Sequence, residues 1–257
     1  MFDSGVGGLS ILQAVRERPP AVPIRYVADS AYAPYGERGE AEILDRCERI
    51  TRHLLRQGAR LVVVACNTAT AVAIDALRKA HPRVPFVGVE PGLRPALAAS
   101  RTRHVAIMAT PATLQSARFG ALLQREAAGS LVHLQACAGL AGAIERGRRD
   151  EPELQALIAL HAGQVREAGV DVVALGCTHY PFVRAEIEAV LGDRVRVIDT
   201  ADAVAAQVER LWSQGDSDTD TQAACRIETT GDPKQLAAFV SHWLGWQADV
   251  LPQPLSV

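Results

Sequence analysis

Cysteine offers the clearest reactive chemistry in this chain. Five are present, Cys47, Cys66, Cys137, Cys177 and Cys225. An odd count without any C-x-x-C spacing argues against a disulfide framework or a zinc ribbon. In a reducing compartment each is then a core hydrophobe, a metal ligand, or a nucleophile or base. An internal repeat separates two of them from the rest. Gly58-Ala59-Arg60-Leu61-Val62-Val63-Val64-Ala65-Cys66 aligns without gaps on Gly169-Val170-Asp171-Val172-Val173-Ala174-Leu175-Gly176-Cys177. The offset is 177 − 66 = 111. In each copy the cysteine closes an apolar strand and precedes polar residues at an expected helix start, Asn67-Thr68 and Thr178-His179. A helix N-terminus favours thiolate, so Cys66 and Cys177 form a candidate pair of proton carriers. Cys47 falls in an apolar helix stripe and reads as core. Cys137 and Cys225 lack polar company and read as structural.

Further polar residues surround these two. Asp3-Ser4-Gly5-Val6-Gly7-Gly8 is a glycine-rich strand-to-helix turn. As a dinucleotide fingerprint it fails, because the third glycine of G-x-G-x-x-G falls on Ser10. It reads instead as a turn whose N–H groups and Ser4 hydroxyl hold an anionic ligand, with Asp3 a carboxylate at the site. A plain helix cap is the rival role for Asp3. Pro34-Tyr35-Gly36 is a turn signal. His179, two residues after Cys177, can orient or assist that thiol. The C-x-H spacing also permits Cys66, Cys177 and His179 as zinc ligands, but no ligand-rich cluster accompanies them and no metal is expected.

These residues need a scaffold, and the hydropathy pattern supplies one. Residues 61–65, 84–89, 105–108, 172–175 and 195–198 are short continuous apolar runs, as buried parallel strands require. Amphipathic stretches alternate with them. Ile43, Leu44, Cys47, Ile50 and Leu54 mark one helix face, with Gly58 at a plausible C′ position. Leu154, Leu157, Ile158 and Val165 mark another, and Val204, Val208 and Leu211 a third. The class is α/β: two similar domains with mostly parallel sheets flanked by helices, and an active site in the inter-domain cleft. The breaks at Glu90-Pro91-Gly92 and Asp199-Thr200-Ala201-Asp202 predict a first domain of 1–92 plus 202–257 and a second of 93–201. Residues 215–220, polar and acidic, read as a solvated loop.

Composition narrows the function classes. A net charge of −2 excludes the basic footprint of a dedicated nucleic-acid binder. No apolar run reaches the ~20 residues of a membrane span, and Met1-Phe2-Asp3-Ser4-Gly5 does not resemble a signal peptide. A cytoplasmic protein with no nucleic-acid or membrane partner is expected. The oligomeric state, a homodimer included, is left open.

Taken together, Phe2-Asp3-Ser4-Gly5-Val6-Gly7-Gly8-Leu9-Ser10, Pro34-Tyr35-Gly36, Ala65-Cys66-Asn67-Thr68-Ala69-Thr70 and Gly176-Cys177-Thr178-His179-Tyr180-Pro181 resemble the glutamate racemases. The motifs occur in the family's order and cover nearly the whole chain. The resemblance implies an enzyme without cofactor that interconverts L- and D-glutamate and supplies D-glutamate for peptidoglycan. It implies that Cys66 and Cys177 are the catalytic cysteines. Asp3, Ser4, Tyr35, Gly36, Asn67, Thr68, Thr178 and His179 match substrate-contacting positions, and Asp3, His179 and Glu145 match groups that assist the thiols. Thr110 and Thr113 are carboxylate contacts by the same likeness. Two departures stand out. The apolar strand leading into Phe2 is shorter than the family pattern, so the first strand is expected to be short. Glu145 follows a loop, Cys137-Ala138-Gly139, without the family's prolines.

The chemistry suits two thiols. Without an electron sink such as pyridoxal, α-proton removal rests on placement and on electrostatic stabilisation. One thiolate takes the proton from one face, and a thiol returns one on the other. The rivals are a related racemase acting on aspartate or hydantoins, and a non-catalytic amino-acid-binding protein. Retention of both cysteines argues against the second, since binding alone needs neither.

Overall fold

The computed structural model describes residues 1–18, 22–214 and 224–253. The acidic stretch 215–220, expected as a loop, lies outside the described residues. The chain divides into two compact units, Met1–Val89 with Ala201–Val257, and Glu90–Thr200.

The first unit is built on a parallel six-stranded sheet. Its strands are β1 (Phe2–Asp3), β2 (Ile24–Ala28), β3 (Val62–Val64), β4 (Phe86–Gly88), β9 (Cys225–Thr229) and β10 (Val250–Pro252), in the order β10-β9-β2-β1-β3-β4. The second unit holds a parallel four-stranded sheet of β5 (His104–Ala109), β6 (Leu131–Ala136), β7 (Val172–Leu175) and β8 (Arg196–Ile198), in the order β6-β5-β7-β8. The order 2-1-3-4 of the first sheet therefore recurs as 6-5-7-8 in the second. The repeat seen around the two cysteines extends to topology, with β9 and β10 added at one edge of the first copy.

β1 is only two residues long, yet it sits in the middle of its sheet. It is held by pairing on both sides, Phe2 with Val27 and Val64, and Asp3 with Ala28. The Ala65 N–H donates to the Phe2 carbonyl at 2.7 Å and the Asp29 N–H to the Asp3 carbonyl at 3.0 Å. Parallel pairing in this register brings Asp3, Asp29 and Cys66 to one end of the sheet, the carboxyl end where α/β folds bind ligands. In the second sheet, pairing of Ala109 with Ala136 and Met108 with Leu175 does the same for Thr110, Cys137 and Cys177.

Helix α2 (Glu40–Arg56) buries Ile43, Cys47, Ile50 and Leu54 against β1, β3 and α3 (Asn67–Ala80). Gly58 ends it with φ +85, the left-handed turn glycine makes at little cost. Leu44, counted in the stripe, is 38% exposed. One residue along a helix turns the side chain ~100°, enough to carry it off the core face. The Glu90-Pro91-Gly92 break, assigned above to the first domain, belongs to the second unit. Gly92 packs on Thr200 and Ala174, where a Cβ would come within 3.1 Å and 3.3 Å, and Glu90 pairs with Arg118. No helix among the described residues is long and apolar enough to cross a membrane.

Candidate active site

Cys66 is the N-cap of α3. Its extended backbone lets Sγ accept the Ala69 N–H at 3.4 Å, an unusual cap in which a thiol takes the place of a hydroxyl. The helix's N-terminal partial charge acts on it directly. The thiol also donates toward Ser4 Oγ at 3.9 Å. Ser4 in turn lies 3.5 Å from Asp3 Oδ1, which accepts the Gly5 N–H at 3.0 Å. Asp3 is wholly buried, and Ser4, Asn67 and Thr68 nearly so. The helix-cap role for Asp3 is not what the fold uses: α1 (Leu9–Arg16) is capped by Gly8 with no side-chain bond. The glycine-rich turn is held from below, where the Tyr26 hydroxyl donates to the Gly5 carbonyl at 2.7 Å. Gly8 is needed there, because a Cβ would lie 2.7 Å from Asp3 Cβ and 2.9 Å from the Tyr26 hydroxyl.

Asn67 and Tyr35 are brought to the same sheet end but are partly committed. Asn67 Nδ2 donates to the Val89 carbonyl at 3.3 Å. The Tyr35 hydroxyl donates to Asp29 Oδ2 at 2.6 Å. Burial, together with the neighbouring Cys47 and Asp29, raises its pKa well above the ordinary tyrosine value, so the phenol stays neutral. What the Tyr35-Gly36 turn can present to a ligand is therefore chiefly backbone. Asp29 and Arg46, which hold this turn, carried no signal in the sequence. A lone Asp after a strand and a lone Arg in a helix become conspicuous only once packing buries them together.

In the second unit Cys177 follows β7 as Cys66 follows β3. No α-helix starts there, contrary to expectation. Residues Tyr180–Val183 form a 3₁₀ turn, and α9 (Arg184–Leu191) begins only afterwards. His179 fills the gap. Its Nδ1 lies 3.6 Å from Cys177 Sγ and its Nε2 2.5 Å from Glu145 Oε1. Glu145 is the last residue of α7 (Leu140–Glu145), so the family-like glutamate, the histidine and the cysteine form one chain of contacts. Burial works against the imidazolium, but the hydrogen bonds to Cys177 and Glu145 outweigh it and raise the His179 pKa well above 6.5.

Thr110 and Thr113 are both buried, and they bond to each other. Thr110 caps the short helix α5 (Pro111–Gln115), accepting the Thr113 N–H at 3.2 Å and donating to its hydroxyl at 2.9 Å. Thr178 is buried between Cys177 and His179. Cys47 and Cys137 are buried, and burial raises both thiols far above their ordinary pKa, as inert core cysteines require. No group of three His, Cys, Asp or Glu side chains among the described residues is arranged to hold a metal ion.

Comparison with known proteins identifies the family. Residues 9–208 match the family described as Asp/Glu/Hydantoin racemase. A glutamate racemase from Ectopseudomonas mendocina is 44% identical over 251 residues, 97% of this chain and 95% of that protein. A Bacillus anthracis glutamate racemase superposes with a TM-score of 0.89 at 29% identity, covering 100% of this chain and 97% of that one. The Escherichia coli glutamate racemase, solved with L-glutamate and the activator UDP-MurNAc-ala, superposes with a TM-score of 0.79 at 27% identity, over 98% of this chain and 95% of that one. With motif order, repeat topology and full-length likeness in agreement, the chain belongs to the Asp/Glu/hydantoin racemase family, among its glutamate racemases.

Proposed function

We propose that this chain interconverts L- and D-glutamate by a two-base transfer between Cys66 and Cys177, without a cofactor, and supplies D-glutamate for peptidoglycan in the cytoplasm. The observation that carries this reading is the pair of equivalent cysteines, one capping a helix N-terminus and the other against the His179 ring. The substrate follows from the relatives, which are glutamate racemases, one of them solved with L-glutamate.

The reaction asks for a base on each face of the α-carbon. A free cysteine titrates near ~8.5, so one thiolate and one thiol coexist with modest tuning. Cys177, beside protonated His179, is suited to take the proton from one enantiomer. Cys66 is the matching donor on the other face, and the roles reverse in the other direction. Ser4, Asn67, Thr68, Thr110, Thr113 and Thr178, with the Tyr35-Gly36 backbone, are the groups to bind the ammonium and carboxylates. Asp3 assists through Ser4, and Glu145 through His179.

The test is racemisation in D₂O, with EDTA present and no pyridoxal phosphate added. A thiol carries one proton, where a lysine ammonium carries three. D-glutamate formed early from L-glutamate should therefore carry solvent deuterium, while the remaining L-glutamate stays unlabelled. Substantial substrate hydrogen in the initial D-glutamate would mean one base serving both faces and would overturn the two-cysteine mechanism. Binding of glutamate without turnover would favour the non-catalytic binding protein.

A further inference from the structure

Asp29 is wholly buried just beyond the carboxyl end of β2, beside the Cys66 half-site, and takes no part in the chemistry above. Its carboxylate is saturated from three separate stretches of chain. Oδ1 accepts from Arg46 Nη2 at 2.7 Å and from the Thr230 hydroxyl at 2.7 Å. Oδ2 accepts from Arg46 Nε at 2.9 Å and from the Tyr35 hydroxyl at 2.6 Å. The Arg46 guanidinium also lies 3.9 Å over the Tyr32 ring.

A second contact pins the same segment nearer its start. The Thr230 hydroxyl accepts the Ala31 N–H at 3.2 Å. Gly231 lets the two loops touch, since a Cβ there would come within 2.9 Å of Ser30 Cβ. Residues 30–35 are thus tied at Ala31 by Thr230 and at Tyr35 by Asp29. A buried carboxylate with a bidentate arginine holds its geometry closely, because any departure leaves charge unpaired away from water.

We propose that Asp29 is a positioning residue for the reaction: with Arg46 and Thr230 it sets the orientation in which the Tyr35-Gly36 backbone meets the substrate. The proposal rests on the reading of Tyr35 and Gly36 as glutamate contacts. The phenol is committed to Asp29, so the segment's share in binding is made by backbone groups, and backbone direction is what this anchor controls.

Thr230 offers the cleanest test, since it lies outside the binding residues and leaves the Asp29–Arg46 pair intact when changed. Thr230→Val removes the hydrogen bonds to Asp29 and from the Ala31 N–H at nearly constant volume, and Thr230→Ser keeps them. In Thr230→Val, the KM for glutamate should rise roughly threefold to tenfold, the range spanned by a buried hydrogen bond, with kcat within about twofold. Amide exchange over residues 31–37 should quicken about tenfold, as a local opening becomes easier. Thr230→Ser should restore both. A merely structural role would lower the melting temperature and leave KM and exchange in that segment at wild-type values, and that result overturns the proposal. If the wild-type chain does not turn over glutamate, the substrate reading fails, and the exchange measurement alone then decides for or against the anchor.

Discussion

Cys66 and Cys177 close equivalent strands of a repeat, yet their surroundings differ. After Cys66 a long helix starts at once, and the thiol itself is the cap, with the Ala69 N–H on its sulfur. After Cys177 the backbone makes a 3₁₀ turn, too short to bring much dipole to bear, and an imidazolium held by Glu145 stands in its place. The repeat therefore specifies where a thiol goes, while what surrounds it is a local matter. The residue before each cysteine shows the same divergence. Position 65 is alanine and the equivalent 176 is glycine. Gly176 is pressed against β5, donating to the Met108 carbonyl at 2.7 Å, and a Cβ there would meet its neighbours at 3.0–3.1 Å.

The bluntest way to break the comparison is to remove each thiol. Cys66→Ala and Cys177→Ala should each lower glutamate racemisation by about 10³-fold or more, since neither half can move a proton alone. Circular dichroism should show the fold retained, and Cys47→Ala should keep its activity. Near-normal turnover in either active-site variant would sink the equivalence of the two halves.

Glu145→Gln sharpens the contrast, because it acts on the imidazole that lies against Cys177. It should lower kcat/KM by about 10²-fold, the lower end for general acid–base assistance. The fall must be equal in both directions, because the two enantiomers have equal free energy. The asymmetry should appear instead in the α-deuterium isotope effect, larger for the enantiomer whose proton Cys177 removes. Nitrogen NMR of the His179 ring should show its pKa move down toward the ordinary value. The sign has a consequence for stability. A histidine raised in the fold stabilises it fully below ~6.5 and loses that contribution as pH rises through the folded value. In Glu145→Gln that contribution should therefore be smaller and be gone by a lower pH than in the wild type.

The smallest effect tests the neighbouring position. Gly176→Ala puts a Cβ 3.0 Å from both the Met108 carbonyl and Pro91 Cβ, and should cost about 1–3 kcal/mol of stability as an overpacked site. Ala65→Gly, at the equivalent place, should cost only about 1 kcal/mol through backbone freedom. Equal costs in thermal unfolding would mean the two halves are packed alike after all.

Half of the scaffold was legible in the sequence: five of the ten strands among the described residues lie on its continuous apolar runs, whereas β2, β6, β9 and β10, more polar or at sheet edges, were not read. Apolar runs of strand length, a helical stripe through Cys47 and the ungapped repeat ending at Cys66 and Cys177 are local patterns, and local hydrophobic periodicity reports burial faithfully. The repeat also singled out Cys66 and Cys177 as a pair, and family likeness pointed to His179 and Glu145, which the fold brings into contact with each other and with Cys177. The helix expected after Cys177 was not legible correctly. Thr178-His179 looks like a helix start as Asn67-Thr68 does, and only the packed turn that places His179 between two partners tells them apart. Leu44 was misjudged because a stripe read one residue too wide still looks periodic. Asp29, Arg46 and Thr230 were invisible for a stronger reason. Arg46 and Thr230 lie 17 and 201 positions from Asp29 along the chain, and what makes the three matter is the mutual burial of charge and hydroxyl. Sequence determines which stretches become strands and helices, because that depends on near neighbours. Tertiary structure decides which polar groups must satisfy one another, because a buried carboxylate takes its partners from whatever the fold brings within reach.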